Sequence, residues 1–443
     1  MNILVVGGGA REHAICEAVK RSKNVVLYSV MKNKNPGIQK ISKEILIEKE
    51  TNIKPVVDFA VDKKIDIAII GPEAPLKEGI VNIFEKNGIK CCSPTKEAAR
   101  IETDKEWMRN LLKKHKIPGQ LKYETFTNID DAAKYIENLN NEVAIKPIGL
   151  TGGKGVRVFG DHFNSIDEAI KYVKEIFDDK IGGESKVLIE EKAIGEEFTL
   201  QAFSDGNSIL PLHAVQDHKR LLPDDKGPNT GGMGSYSCEN GLLPFLNKSE
   251  YEEGAGILQK IVEALKKEGS SYIGPIYGQF MLTASGPKII EINARFGDPE
   301  AMNVLPLLET DFVKICEAMI NGNLNNIKLV MNKKSTVCKY VVPEGYGYKS
   351  MVGKKIFVDE ENIENIGSQI FYASVDKTNH NIITTSSRSL AVVGISDDIN
   401  KAENLCEKAL EHIKSDHIFI RHDIGKPDLI NRRITHMNQI RGN

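Results

Sequence analysis

Ile3-Leu4-Val5-Val6-Gly7-Gly8-Gly9-Ala10-Arg11-Glu12-His13 is an apolar run, three glycines and then helix-forming residues. It reads as a buried strand that turns directly into a helix. Two further apolar runs, Val25–Val30 and Ile65–Ile70, lie beside amphipathic or Gly/Pro-punctuated sequence, the pattern of a parallel sheet with crossover helices. The expectation is an N-terminal parallel α/β domain over residues 1–103. Glycines let backbone approach a ligand, and a helix N-terminus offers free N–H groups to an anion. Arg11 adds a guanidinium that can fork onto a phosphate. A dinucleotide fingerprint would need glycine three positions after Gly9, where Glu12 stands, so that reading fails. An ordinary tight strand–helix turn is the plainer alternative.

Outward from this stretch, 443 residues correspond to about three domains. Residues 104–327 hold most of the glycine-rich loops. In residues 328–443, Val337–Val342, Ile356–Val358, Ile370–Ser374 and Ser389–Val393 read as short strands, followed by a helix over Ile399–Ile413. The fold class is therefore α/β and α+β, multidomain, with a small α+β, β-rich C-terminal domain. Lys and Arg number 59 against 61 Asp and Glu, a net charge of −2, which lacks the basic excess of a nucleic-acid binder. No apolar run approaches the length of a membrane span, and no signal peptide is expected. The seven cysteines, with no Cys-x-x-Cys spacing, read as buried free thiols of a cytoplasmic protein.

Four more stretches carry chemistry. Ala144-Ile145-Lys146-Pro147-Ile148-Gly149-Leu150-Thr151-Gly152-Gly153-Lys154-Gly155-Val156 contains Gly-Lys but not a Walker loop, because Ile148 and Gly155 stand where glycine and Ser/Thr are required. It reads as a flexible glycine loop over a triphosphate, with Lys154 reaching the phosphates and Lys146 approaching from a strand, or else as a solvated turn. In Val187-Leu188-Ile189-Glu190-Glu191-Lys192-Ala193-Ile194-Gly195-Glu196-Glu197 a strand meets acidic residues that can read an adenine edge and ribose hydroxyls, though such residues are usually just solvated. In Ile289-Ile290-Glu291-Ile292-Asn293-Ala294-Arg295-Phe296-Gly297-Asp298, Glu291 and Asn293 share one strand face. Hard oxygens there suit Mg²⁺, and Gln279, on an expected antiparallel neighbour, is a third donor. Gln216-Asp217-His218-Lys219-Arg220 and Gly227-Pro228-Asn229-Thr230-Gly231-Gly232-Met233-Gly234 are typical of loops that clasp a small polar substrate. His218 is given no proton-transfer role.

Taken in order, together with Gly71-Pro72-Glu73-Ala74-Pro75-Leu76 and Arg295-Phe296-Gly297-Asp298-Pro299-Glu300, these motifs resemble the glycinamide ribonucleotide synthetases, purine-pathway members of the ATP-grasp superfamily. The resemblance implies an ATP-grasp core with a mobile lid at about 120–188. It implies ATP, glycine and 5-phosphoribosylamine as substrates, Mg²⁺ or Mn²⁺ as metal, and a monomer or small homo-oligomer with no nucleic-acid or membrane partner. Lys105, Lys146 and Lys154 would hold phosphates, Glu190, Glu191, Lys192 and Ala193 would frame adenine, and Glu197 would take ribose. Gln279, Glu291 and Asn293 would bind metal. The substrates would meet Gly8, Gly9, Arg11 and Glu12, then Asp217, Lys219, Arg220, Asn229, Thr230, Gly232 and Met233. Arg295, Lys146 and Asp298 would be catalytic, with Arg295 and Asp298 also touching substrate. Two departures from the family pattern stand out. Ile148 replaces an acidic lid residue and removes a charge near the triphosphate. Gln279 offers a neutral amide, a weaker metal ligand than a carboxylate.

Overall fold

The computed structural model describes residues 1–140, 142–150, 155–378 and 381–442. The N-terminal sheet is parallel, with order Glu44–Ile47, Val26–Met31, Asn2–Val6, Ile67–Ile70, Lys90–Cys91. The three apolar runs form its centre. Glu44–Ile47 is a half-exposed edge strand and Lys90–Cys91 has two residues, too little apolar repetition to stand out in sequence. Chain order reverses between Asn2–Val6 and Ile67–Ile70. The loops leaving these neighbours therefore open onto one crevice. That topology brings Gly7–Gly9 beside Gly71-Pro72-Glu73: a Cβ on Gly7 would lie 2.8 Å from Pro72 Cδ.

The central part has two antiparallel sheets. One has the order Tyr123–Phe126, Val187–Glu191, Val143–Pro147, Arg157–Val158, backed by the helices Ile129–Asn138 and Ile166–Asp178. It owns a separate small core that includes Ile136, Ile145, Tyr172, Val173 and Ile189. The other has the order Ile209–Pro211, Glu196–Asp205, Ile273–Thr283, Gly286–Asn293, packed on the helix Lys248–Lys267. Gln279 pairs with Glu291, but the next pair is Phe280 with Ile289. Ile290 is thus the extra residue of a β-bulge, which locally breaks the two-residue alternation.

The C-terminal sheet borrows from the middle of the chain. Gln216–Asp217 and Gly234–Ser237 lead into Ser335–Pro343, Leu390–Ser396 and Gln369–Tyr372. The substrate-type loops at 216–234 are consequently strand ends of a sheet completed some 100 residues later. The last helix, Pro427–Arg441, returns to the middle through Arg433 to Glu196 (3.1 Å) and Arg441 to Glu250 (2.7 Å).

Lys339 lies in the centre of that sheet with no exposed surface, its ammonium held by Glu403 (2.7 Å), Glu407 (2.5 Å) and the His422 carbonyl (3.0 Å). Lys339→Met keeps volume but leaves two carboxylates facing an apolar thioether. Breaking a buried ion pair costs about 3–5 kcal/mol, so the urea midpoint of the C-terminal transition should fall. An unchanged midpoint would show that the two glutamates are solvated in the native state.

Candidate active site

One cavity of about 400 Å³ opens between the two central sheets and the loops at 216–234. Its inner end is apolar, lined by Leu121, Ala144, Val156, Val158, Met281 and Ile290. The sequence reading assigned none of these six. Alternation could have found Met281, which shares a face with Gln279. Ile290 faces the cavity beside Glu291 because of the bulge, which alternation cannot reveal.

Above the apolar slot, charges are paired tightly. Glu190 has no exposed surface; Arg109 Nε donates to it at 2.5 Å, and Lys146 Nζ lies 2.6 Å from its other oxygen. Burial opposes ionisation of Glu190, but Arg109 and Lys146 hold it below the ordinary carboxylate range. Arg109 also donates to the carbonyls of Ile289 (2.9 Å) and Ile290 (3.1 Å). It had no role in the sequence reading, where it is one cation on an amphipathic helix. Glu191, Lys192, Ala193 and Glu197 line the same cavity. Lys105 stands behind the wall, donating to the Gly149 carbonyl at 2.7 Å, so it secures the base of the glycine loop. Lys154 lies outside the described residues.

Gln279, Glu291 and Asn293 line the cavity on adjacent strands. Burial disfavours a charged Glu291, yet Lys219, the Asn293 amide, Lys146 and Lys105 hold it ionised below its usual value. Gln279 is already engaged: its oxygen accepts from Lys219 Nζ at 2.5 Å and its amide donates to Glu197 Oε2 at 2.7 Å. One ionised carboxylate and two amide oxygens fit a hard divalent cation that takes its remaining ligands from water and phosphate. Among the described residues, no group of three or more His, Cys, Asp and Glu side chains could hold a metal alone.

Arg295 reaches the cavity while Glu102 (2.9 Å) and Glu73 (3.8 Å) hold it from behind. Despite burial, Glu102 and Glu73 push its pKa further up. Asp217, Lys219, Arg220, Asn229, Thr230 and Asp298 line the outer part. Gly232 and Met233 do not. Gly232 has φ +106°, and a Cβ there would sit 2.7 Å from both Asp217 Oδ1 and Pro299 Cδ, so it shapes the turn beneath. Asp298 is bound internally, by the Tyr340 hydroxyl at 2.5 Å and Arg388 at 3.1 Å.

The first glycine turn differs from its sequence expectation. Gly8, Gly9, Arg11 and Glu12 lie outside the cavity wall. The anion at this helix N-terminus is Glu12 itself, 3% exposed, accepting from Gly9 N at 2.7 Å and from Arg11 Nε at 2.6 Å. Arg11 also donates to the Phe296 carbonyl at 3.3 Å. Its fork is directed at the turn around Arg295 rather than at open space. Glu12 thus supplies the carboxylate half of a capping box, while Gly9 has no side chain to accept from the N–H groups of the first turn.

Residues 1–102, 103–301 and 336–427 match the N, ATP-grasp (A) and C domains of phosphoribosylglycinamide synthetase. Over 441 residues, all of both chains, the sequence is 49% identical to phosphoribosylamine–glycine ligase of Methanothermobacter thermautotrophicus. It is 50% identical over 445 residues, again all of both, to that of Methanocaldococcus jannaschii.

The chain belongs to the phosphoribosylglycinamide synthetase family.

Among solved structures, phosphoribosylamine–glycine ligase of Thermotoga maritima shares the fold with a TM-score of 0.81 at 24% identity, covering 96% of this chain and 100% of that one. The biotin carboxylase domain of Hydrogenobacter thermophilus 2-oxoglutarate carboxylase has a TM-score of 0.74 at 16% identity, over 100% and 95%. Nearly every cavity-lining residue falls within the family's ATP-grasp segment, 103–301. Arg433, from the last helix, lies beyond all three matched segments.

His218 is 2% exposed, and neither ring nitrogen has a partner among the described residues. Burial pushes its pKa down to about 3, with Asp225 and Asp423 opposing and Arg421 and Arg433 assisting. It is a neutral imidazole within the wall. Between pH 6.5 and 3 the unfolded chain takes up a proton that the folded site refuses, so stability falls with pH there by about 1.4 kcal/mol per unit. Going from pH 7 to pH 5, His218→Gln should lose about 2 kcal/mol less than the unaltered chain, read from urea midpoints. Equal acid losses would mean the imidazole is protonated in place.

Proposed function

We propose that this chain joins glycine to 5-phosphoribosylamine with ATP, giving glycinamide ribonucleotide, ADP and phosphate through glycyl phosphate, a step of de novo purine biosynthesis. The observation that carries this reading is the identity of 49–50% to phosphoribosylamine–glycine ligases over the full length of both chains. The reading includes action in the cytoplasm on small phosphorylated metabolites, as a monomer or small homo-oligomer. No helix among the described residues is long and apolar enough to cross a membrane.

The geometry suits the chemistry. A carboxylate does not acylate an amine at neutral pH, because oxide is a very poor leaving group. The glycine carboxylate oxygen attacks the γ-phosphorus and ADP leaves. The phosphoribosylamine nitrogen then attacks the acyl carbon, and the C–O bond to phosphate breaks. Such transfer needs positioning and charge neutralisation rather than a protein nucleophile. Lys146, Lys219 and Arg295 supply positive charge to the cavity, and Lys105 steadies the lid base. When bound by Gln279, Glu291 and Asn293, Mg²⁺ or Mn²⁺ would neutralise phosphate charge further. The apolar slot suits adenine. Gly8, Gly9, Arg11 and Glu12, placed behind Arg295 and Asp298, are proposed to act on the substrates through those two residues. All seven cysteines are buried and none lines the cavity, which supports a route without an acyl-enzyme. The lid excludes water from the labile acyl phosphate.

Release of ADP that requires both glycine and 5-phosphoribosylamine tests the reading; release with bicarbonate in place of glycine would favour a carboxylase. Glycine labelled with ¹⁸O in its carboxylate should deliver one labelled oxygen to each phosphate, read by mass spectrometry. Unlabelled phosphate in a single turnover would remove glycyl phosphate from the scheme. Glu291→Gln should lower turnover roughly 10²-fold or more with an unchanged far-UV spectrum. Near-normal turnover at low millimolar Mg²⁺ would mean the metal is held elsewhere.

A further inference from the structure

Arg388 precedes the strand Leu390–Ser396 and belongs to the C-terminal segment. Its Nη1 donates to the carbonyls of Gly231 (2.5 Å), Gly232 (3.0 Å) and Asp298 (3.1 Å). Its Nη2 lies 3.1 Å from the Asp298 carboxylate. Its flat face covers the Tyr340 ring at 4.4 Å, and Tyr340 in turn donates its hydroxyl to the other Asp298 oxygen at 2.5 Å. Yet Arg388 is not part of the cavity wall, which Gly231, Thr230, Asn229 and Asp298 form.

We infer that Arg388 is a positioning residue. Acting from behind the wall, it holds the glycine turn 229–233 and Asp298 in one rigid unit and so sets the affinity of the outer half of the cavity. The substrates assigned to that half rest on the ligase reading; the clamp itself does not.

Three observations favour this over a mere buried ion pair. The turn's amides already have partners: Thr230 bonds the Lys219 carbonyl twice at 2.8 Å and accepts from Gly232 N at 3.1 Å, Gly231 N donates to the Tyr346 hydroxyl at 3.4 Å, and Met233 N donates to the His218 carbonyl at 2.8 Å. Arg388 supplies the hydrogen bonds to the two glycine carbonyls. Next, Gly231 is where the guanidinium enters: a Cβ there would lie 3.2 Å from Arg388 Cζ. The glycine and the arginine form one fitted contact. Finally, Asp298 spends both carboxylate oxygens on Tyr340 and Arg388, leaving it neutralised where it meets the cavity. It serves as the anchor linking the turn after Arg295 to the turn 229–233. A planar fork can serve three carbonyls and a carboxylate at once; a lysine ammonium cannot.

The test uses the full chain with Arg388→Met, Arg388→Lys and Tyr340→Phe. Amide hydrogen exchange at residues 229–233 should rise roughly tenfold or more in Arg388→Met while exchange at 187–191 stays unchanged. In steady state, KM for glycine or 5-phosphoribosylamine should rise roughly tenfold or more, with KM for ATP within about twofold. Arg388→Lys should recover part of this, and Tyr340→Phe should move the same KM by less. Unchanged exchange at 229–233 overturns the clamp whatever reaction the protein catalyses. Raised exchange with KM for ATP and for the substrates shifting together overturns the positioning role while leaving the ligase reading intact. No turnover by the unaltered chain would count against the ligase reading alone. If Arg388→Met fails to fold, normal exchange and normal KM values in both Arg388→Lys and Tyr340→Phe overturn the inference.

Discussion

A carboxylate with no access to water must be compensated on the spot, and Glu190 is that carboxylate. Two cations hold it, and each belongs to a different part of the molecule. Lys146 comes from the strand Val143–Pro147 of the lid sheet, and Arg109 comes from the helix Lys105–Lys114. Arg109 Nη2 donates to the Ile289 and Ile290 carbonyls. One buried charge therefore ties the lid sheet, the connecting helix and the strand carrying Glu291. Removing any member leaves an unpaired charge in low dielectric, which is far more costly than losing a surface pair. The bulge at Ile290 sits where this network meets the strand, so the cluster that joins the two sheets also aims Glu291 into the cavity.

The same rule runs through the rest of the site. Arg295 is backed by Glu102 and Glu73, Lys219 by Gln279 and Glu197, Asp298 by Arg388 and Tyr340. Arg295 and Asp298 are oriented by partners that do not line the cavity, whereas Lys219 is oriented by two that do. Preorganised charge of this kind needs no rearrangement when the γ-phosphoryl group transfers, which is where electrostatic catalysis gains most. Burial raises the value of every such pair and also the penalty for a missing one.

Local pattern made part of this legible. Apolar runs identified the three central strands of the first sheet, because strands buried on both faces need continuous hydrophobic sequence. Period-two spacing placed Glu291 and Asn293 together, and Gln279 across from them. The partners acting from behind were not legible. Arg109, Glu102 and Tyr340 lie on ordinary helices and strands and Arg388 lies in a loop before one, and only tertiary packing brings them to the site. Glu12 illustrates the converse: its carboxylate reaches back to the Gly9 N–H and so places an acidic group of the chain itself at the turn that the sequence offers to an anion. The bulge at Ile290 broke the alternation on which the strand reading relied. The pairing of Gly234–Ser237 with Ser335–Pro343 joins segments too far apart for any local signal.

This long-range pairing bears on how one fold supports different reactions. The biotin carboxylase domain shares the whole architecture at 16% identity, so the sheets alone do not choose a second substrate. The inner half of the cavity is built from strands of the two central sheets. The outer half is built from loops 216–220 and 227–234, which lie between strands of the C-terminal sheet. Their shape depends on what that sheet presents to them, and here it presents Arg388 over Tyr340. A change at Asn229, Thr230 or Gly231, or in the residues beneath them, leaves the contacts of Glu190 with Lys146 and Arg109 in place, whereas a change at Lys219 reaches Gln279 and Glu291. On the proposed ligase reading, substrate choice can diverge at the turn 229–233 while the cluster around Glu190 is kept, because the turn leans on Arg388 and Glu190 leans on Arg109 and Lys146.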